Sequence, residues 1–314
     1  MFQTRLAAAA RALTLVAAAA FSTLAVAPVQ AAAPMAKRQA PGFYRMSLGD
    51  FEVTALYDGS FDLPVDQLLK QPAAKTSAAL AKHFQSLPVE TSVNAFLVNT
   101  GARLILIDTG TGGYSGPTSG RLLANLKAAG YRPDQVDDIF ITHMHGDHMG
   151  GLSHEGVAVF PKAIVHAGKG DVGHYTNAAA GDKTAFGSMA PYIAANKFQA
   201  IAGDGEVVPG VRAWATPGHT PGHTSYVVES KGEKLIVAGD LIHVAAVQLD
   251  DPSVTVSFDA DGKAAEAARA KVFAEAAKDG TLIAAAHLQF PGIGRLKANG
   301  KGWQFVPVNY LHTR

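Results

Sequence analysis

Two rhythms of apolar and polar positions alternate along this chain, and the alternation runs through twice. In the first half, Phe51–Tyr57, Ser92–Asn99 and Arg103–Ile107 are rich in Val, Leu, Ile and Phe at strand lengths, and Asn99-Thr100-Gly101 predicts a hairpin turn between the last two. Residues 120–129 then place apolar positions at helical spacing, with Gly130 as a stop and Pro133 shortly beyond, before a strand at Asp138–Thr142. The second half predicts strands at Val211–Ala215, Ser225–Glu229 and Lys234–Ala238, a helix over Ala264–Lys278 ending at Gly280, and a strand at Leu282–Ala286. Strand runs followed by helices suggest an α+β fold of αββα sandwich type in one domain over residues 43–314, although the pattern alone also fits other mixed folds. Residues 167–200, rich in Gly and Ala with scattered aromatics, read as a long lid-like excursion without regular structure.

Composition narrows this picture. A hydrophobic content of 48% in 314 residues supports a sizeable core. Lys and Arg total 27 against 26 Asp and Glu, a formal net charge of +1, so no basic footprint points to nucleic acid, and a small-molecule partner is expected. Residues 1–31 carry Arg5 and Arg11, an apolar run from Leu13 to Ala27 and small residues near Ala31, which reads as a secretory signal peptide. Residues 32–42 read as a flexible lead. The expectation is therefore a periplasmic or secreted protein with no membrane span after cleavage. The chain has no cysteine, which leaves stability to core and metal and removes every thiolate ligand or nucleophile.

The sharpest chemical feature is Thr142-His143-Met144-His145-Gly146-Asp147-His148, directly after the apolar run Ile139–Ile141. His143 and His145 alternate and can face one way in extended backbone, while Asp147 and His148, beyond Gly146, can turn to a neighbouring point. One cluster can then serve two ions, because neutral imidazole is a good ligand for zinc and similar metals and a carboxylate balances their charge. Solvated loop histidines would be an unusual coincidence at the end of a core strand. His83, His154, His166 and His312 stand alone and are read as surface or packed residues.

This motif resembles the His-x-His-x-Asp-His signature of the metallo-β-lactamase superfamily. Thr216–His223, Gly239-Asp240 and Ala285-Ala286-His287 resemble the family's later ligand segments, in the same order. The resemblance implies one ion held by His143, His145 and His219, a second by Asp147, His148 and His287, and Asp240 as the bridge. His219 and His223 compete for one place; spacing to Asp240 in the family favours His219, with His223 as support behind the ligands. Asp108, in Ile107-Asp108-Thr109-Gly110, reads as an orienting carboxylate or as a plain turn former.

Two divalent ions, expected to be zinc with manganese, iron or cobalt as alternatives, would share a water of lowered pKa. Asp147 and Asp240 are then the catalytic carboxylates that could briefly take its proton. Within the superfamily, Gly239–Gln248, Asp250–Val254 and Phe290–Gly294 look like the branch of methyl parathion hydrolase and its lactonase and arylesterase relatives, for which a homodimer is implied. Tyr114, Tyr175, Phe186, His243 and Phe258 are the candidate substrate wall. An aromatic wall with a histidine suits a lactone or aryl ester, with organophosphate triester hydrolysis as the alternative and a non-catalytic metal-stabilised binding protein as a more distant one.

Overall fold

Strand alternation and its two partner faces account for the architecture. In the computed structural model, which describes residues 33–310 apart from 38, 113–114 and 176–182, β1 (Phe43–Leu48), β2 (Phe51–Leu63), β3 (Val89–Asn99), β4 (Leu104–Ile107) and β5 (Asp138–Ile141) follow one another in one sheet. A short ribbon of β6 (Ser153–His154) and β7 (Val157–Ala158) intervenes before β8 (Ile164–Gly168) and β9 (Phe198–Ile201) complete the seven strands of that sheet. A second seven-stranded sheet runs in chain order through β10 (Gly205–Val208), β11 (Val211–Ala215), β12 (Thr224–Ser230), β13 (Glu233–Val237), β14 (Leu282–Ala284), β15 (Ile293–Asn299) and β16 (Gly302–Pro307).

Successive side chains of a strand point to opposite faces, and both faces are apolar here. Phe96, Val98, Ile105 and Phe140 of the first sheet meet Ala213, Tyr226, Val228 and Val237 of the second in a central core. Their neighbours Leu97, Leu106, Ile139 and Ile141 point outward, under α3 (Leu122–Ala128) and α6 (Lys183–Ala194). On the far side, Trp214, Val227, Ile236 and Ile283 lie under Val272, Phe273 and Ala276 of α8 (Gly262–Lys278). The described residues from 40 onward thus form an αββα sandwich, as the strand and helix pattern led one to expect.

Two details depart from expectation. The stretch 167–200 is not an unstructured excursion: its described part contains α5 (Lys169–Tyr175), α6 and β9. Gly170, Gly173 and an internal Pro191 mask the helical periodicity, and the helices hold because Met189 and Tyr192 are buried in the outer core. Strand β2 continues six residues beyond Tyr57, through a bulge between Tyr57 and Gly59 that redirects Asp58. The signal-peptide reading of residues 1–31 lies outside the described residues, as do Tyr114 and His312. No helix among the described residues is long and apolar enough to cross a membrane.

The strand order decides where chemistry can sit. β4, β5 and β8 are parallel neighbours, as are β13 and β14, so their carboxyl ends open on one rim of the sandwich. Loops at such ends are the usual place for ligands.

Candidate metal centre

All seven sequence-predicted ligands arrive at that rim. Strand β5, buried along its whole length, ends at Ile141, and His145 caps α4 (Gly146–Met149): the N–H groups of His148 and Met149 donate to the His145 carbonyl at 3.1 Å each. The cap reverses the chain and sends Asp147 and His148 back toward the point that His143 and His145 approach. His219 lies on the loop between β11 and β12, Asp240 in the turn after β13, and His287 just after β14. Gly239 adopts φ +56°, and a side chain there would meet His223 Nε2 at 2.7 Å; only glycine lets the turn set Asp240 against the histidines.

Two groups of donors stand side by side. His143, His145, His219 and Asp240 form one, Asp147, His148 and His287 another, and a third set, Asp240, His243 and His287, overlaps both; within each the donor atoms lie within 4.8 Å of one another. His145 Nδ1 is 3.0 Å from His143 Nε2 and 3.1 Å from His219 Nε2. Asp240 stands between the groups, with Oδ1 3.2 Å from His148 Nε2 and Oδ2 3.3 Å from His219 Nε2 and 3.2 Å from His287 Nε2.

Three of these histidines are tied from behind, which turns the other nitrogen inward. His148 Nδ1–H donates to Asp108 Oδ2 at 2.9 Å, His219 Nδ1–H to Asp259 Oδ1 at 2.9 Å, and His287 Nδ1–H to the Ser92 carbonyl at 2.8 Å. Asp108 also accepts from the Thr142 N–H and hydroxyl at 2.7 Å each, so it both shapes the motif loop and orients His148. His223 is turned away from the donor groups: its Nε2 accepts the Asp240 N–H at 3.0 Å, and its Nδ1 lies 2.8 Å from the Thr216 hydroxyl.

The residues present fit divalent ions. His148 Nε2 and Asp240 Oδ1 are buried and close, yet neither has a hydrogen-bond partner, an expensive arrangement unless a cation satisfies both. Burial and the adjacent His148 push His143 well below the ordinary imidazole range, and burial with the adjacent His219 lowers His145 to about 4, leaving neutral lone pairs. Burial alone would lower His148 and His287 as well, but the carboxylate of Asp240 holds both above it. Burial would raise Asp147 and Asp240, and the imidazoles of His148 and His287 outweigh it to keep both carboxylates ionised. The pull of Asp240 on His148 and His287 favours their protonated forms, and a cation bound there would displace those protons.

A cavity of about 400 Å³ stands over the donors, lined by Phe61, Leu63, Ser115, His243 and Phe258 beside the ligands. His243 is buried, 4.9 Å from His219 and 5.4 Å from His287 between ring centroids; its Nε2 lies 3.2 Å from Asp240 Oδ2, and its Nδ1 has no hydrogen-bond partner. Burial lowers it to about 4. Tyr175 does not line the cavity, although its ring lies 6.1 Å from that of His145. Phe186 does not line the cavity; it sits on α6 with 41% of its surface exposed, because the helix directs Met189 and Tyr192, not Phe186, into the core. Phe61, Leu63 and Asp259 were missed by the sequence reading. Phe61 lies in the part of β2 beyond the bulge, and Asp259 in a loop with no motif around it.

Comparison with known proteins gives this arrangement a family. The Metallo-beta-lactamase superfamily profile matches residues 88–287, and the chain belongs to that superfamily. Among solved structures it is similar to the hydrolase AbOPH of the beta lactamase superfamily, with 38% identity, a TM-score of 0.83, and coverage of 88% of this chain and 100% of that one. It is also similar to AidC, a dizinc quorum-quenching lactonase, with 27% identity, a TM-score of 0.80, and coverage of 86% of this chain and 99% of the other. An N-acyl homoserine lactonase of Bacillus cereus is 31% identical over 117 residues, 37% of this chain. The match spans 42% of that relative's length, so the likeness to it is partial.

Proposed function

We propose that this metal-dependent hydrolase opens lactones or cleaves aryl carboxylic esters, holding two divalent ions in the donor groups centred on Asp240. The carrying observation is the apolar cavity directly over those donors, with the buried His243 in its wall. The likeness to a dizinc lactonase over most of the chain supports the reading.

His143, His145, His219 and Asp240 would hold one ion, and Asp147, His148, His287 and Asp240 the other. Bound there, zinc or a similar ion supplies Lewis acidity and lowers the pKa of water toward neutrality. The chain's own residues do the remainder. Phe61, Leu63 and Phe258 exclude bulk water and hold the apolar part of the substrate. His243, neutral at ordinary pH, donates a hydrogen bond to an ester or lactone oxygen and fixes its orientation. Asp147, whose side chain is 23% exposed at the cavity, and the buried Asp240 are the carboxylates that accept the proton released by the attacking water. In this reading the N-terminal 31 residues direct the chain to the periplasm or outside the cell, and the protein works as a homodimer.

The test is catalytic efficiency on an aryl ester, an aromatic lactone and a dialkyl aryl phosphotriester with matched leaving groups, each with and without chelator, on protein whose metal content has been measured. Chelator-sensitive preference for the lactone or ester supports the reading. A phosphotriester preference replaces it with the tetrahedral substrate class, and turnover that survives complete metal removal refutes it.

A further inference from the structure

Beside the donor groups lies a buried carboxylate that the reaction does not use. Asp171, on the first turn of α5, is fully buried and 27 residues from the nearest partner in sequence. Its Oδ2 accepts the Met144 N–H at 3.0 Å and the Thr220 hydroxyl at 2.8 Å, and its Oδ1 accepts the Gly222 N–H at 2.5 Å. Met144 stands between His143 and His145, and Thr220 follows His219. One carboxylate therefore spans two loops, one from each sheet, that carry the three histidines of one donor group.

The surrounding backbone is built for this contact. A Cβ on Gly168 would lie 2.0 Å from the Gly222 carbonyl oxygen, one on Gly170 2.6 Å from that of Pro221, and one on Gly222 2.2 Å from the Asp171 nitrogen. These distances are below any van der Waals contact, so the corner between β8 and α5 reaches the Pro221-Gly222 turn only because those three positions lack side chains. None of Asp171's three partners is charged. A buried carboxylate satisfied only by neutral donors is a costly way to hold loops together, and what it secures is register: three donors, fixed in direction, converge on two oxygens.

Resting on the metal-centre reading above, we propose that Asp171 is a positioning residue that sets the distance between His145 and His219, and thereby the affinity of the ion bound by His143, His145 and His219. The 3.1 Å separation of His145 Nδ1 and His219 Nε2 is the quantity it controls. In Asp171→Asn, one acceptor oxygen becomes an NH₂ group that faces either the Gly222 N–H or the Met144 and Thr220 donors. The two loops separate at that point.

The experiment measures zinc affinity by competition with a chromophoric chelator in wild type, Asp171→Asn, Thr220→Val and Asp138→Asn, together with the melting temperature of each metal-free protein. Asp138 is a buried carboxylate at the opposite end of β5, so its variant reports what stability loss alone does to affinity. Asp171→Asn is expected to weaken one of two bound zincs by about 10–100-fold, the range seen when the partners that orient metal ligands are removed. Thr220→Val is expected to weaken the same zinc by a smaller factor, and Asp138→Asn to leave both affinities within about twofold while lowering the melting temperature. Unchanged affinity in Asp171→Asn with a lowered melting temperature overturns the proposal. If Asp171→Asn does not melt cooperatively, Thr220→Val decides, and unchanged affinity there overturns it. A wild-type chain that takes up no zinc, manganese, iron or cobalt removes the metal-centre reading itself, and the proposal with it.

Discussion

Arg269 offers a quantitative test of how the rim is held. It is the bulkiest fully buried side chain among the described residues, in the middle of α8, and its guanidinium is spent on backbone carbonyls: Nε donates to Leu241 at 2.5 Å, and Nη1 donates to Pro252 at 2.6 Å and Val254 at 3.0 Å. Leu241 follows the Asp240 donor, and the segment 252–254 leads into Phe258 and Asp259. In Arg269→Met the Leu241 carbonyl is left buried without a donor, which costs about 1–3 kcal/mol. The Val254 carbonyl keeps the Gln248 Nε2 donor at 3.0 Å, and the Pro252 contact is only part-buried, so each adds less. Against this, burial depresses the Arg269 pKa, and its Nη2 has no partner, so removing the cation relieves a desolvation cost. The balance is a net loss of about 2 kcal/mol, or roughly 4–8 °C in melting temperature for a domain of this class. Calorimetry on metal-free protein checks it, because bound ions would otherwise stabilise by mass action. Arg269→Met melting within about 1 °C of wild type would refute the reasoning and mean that the buried cation costs as much as its hydrogen bonds return.

Two further outcomes are expected. Asp240→Asn is expected to lower bound metal below two equivalents by elemental analysis and to abolish turnover, since Asp240 alone lies between both donor groups; full activity with intact metal content would remove it from that role. Asp138 is held below the ordinary carboxylate range: burial would raise it, but the hydrogen bonds from His166 and Arg103 prevail. A depressed carboxylate stabilises the fold above its unfolded pKa and loses that contribution as pH falls through its folded value. The stability gap between wild type and Asp138→Asn should therefore be constant above about pH 5 and shrink below about pH 4 in urea titrations; a gap that widens there would contradict the assignment.

Legibility in the sequence followed range along the chain. His143 to His148 lie within one turn of backbone reversal, so strand, cap and ligands declare themselves together, and the regular strands Val211–Ala215 and Leu282–Ala284 were visible in their apolar runs. What the sequence did not disclose is held by distant partners. Asp259 meets His219 across 40 residues, and Asp58 fastens the loop near the cavity mouth by accepting from Thr111, Gly120 and Leu122 across more than 50. An aspartate flanked by Gly, Ala or Phe carries no local sign of such a contact. Helices α5 and α6 were hidden for a related reason: their glycines and proline read as breakers until Met189 and Tyr192 have a core to enter. Phe186 was a plausible wall residue by type, and helix rotation alone moved it to solvent.

The donor set also straddles the two sheets. His143 and His145 issue from the first and His219, Asp240 and His287 from the second, while hydrogen bonds such as Thr224 N–H to the Thr142 carbonyl at 2.8 Å and Tyr226 hydroxyl to the Ile141 carbonyl at 2.9 Å stitch the seam beneath them. Neither half of the polypeptide possesses all seven ligands. Each of the two side-by-side donor groups instead draws on both sheets, so the full set of ligands exists only once the two halves of the chain have come together.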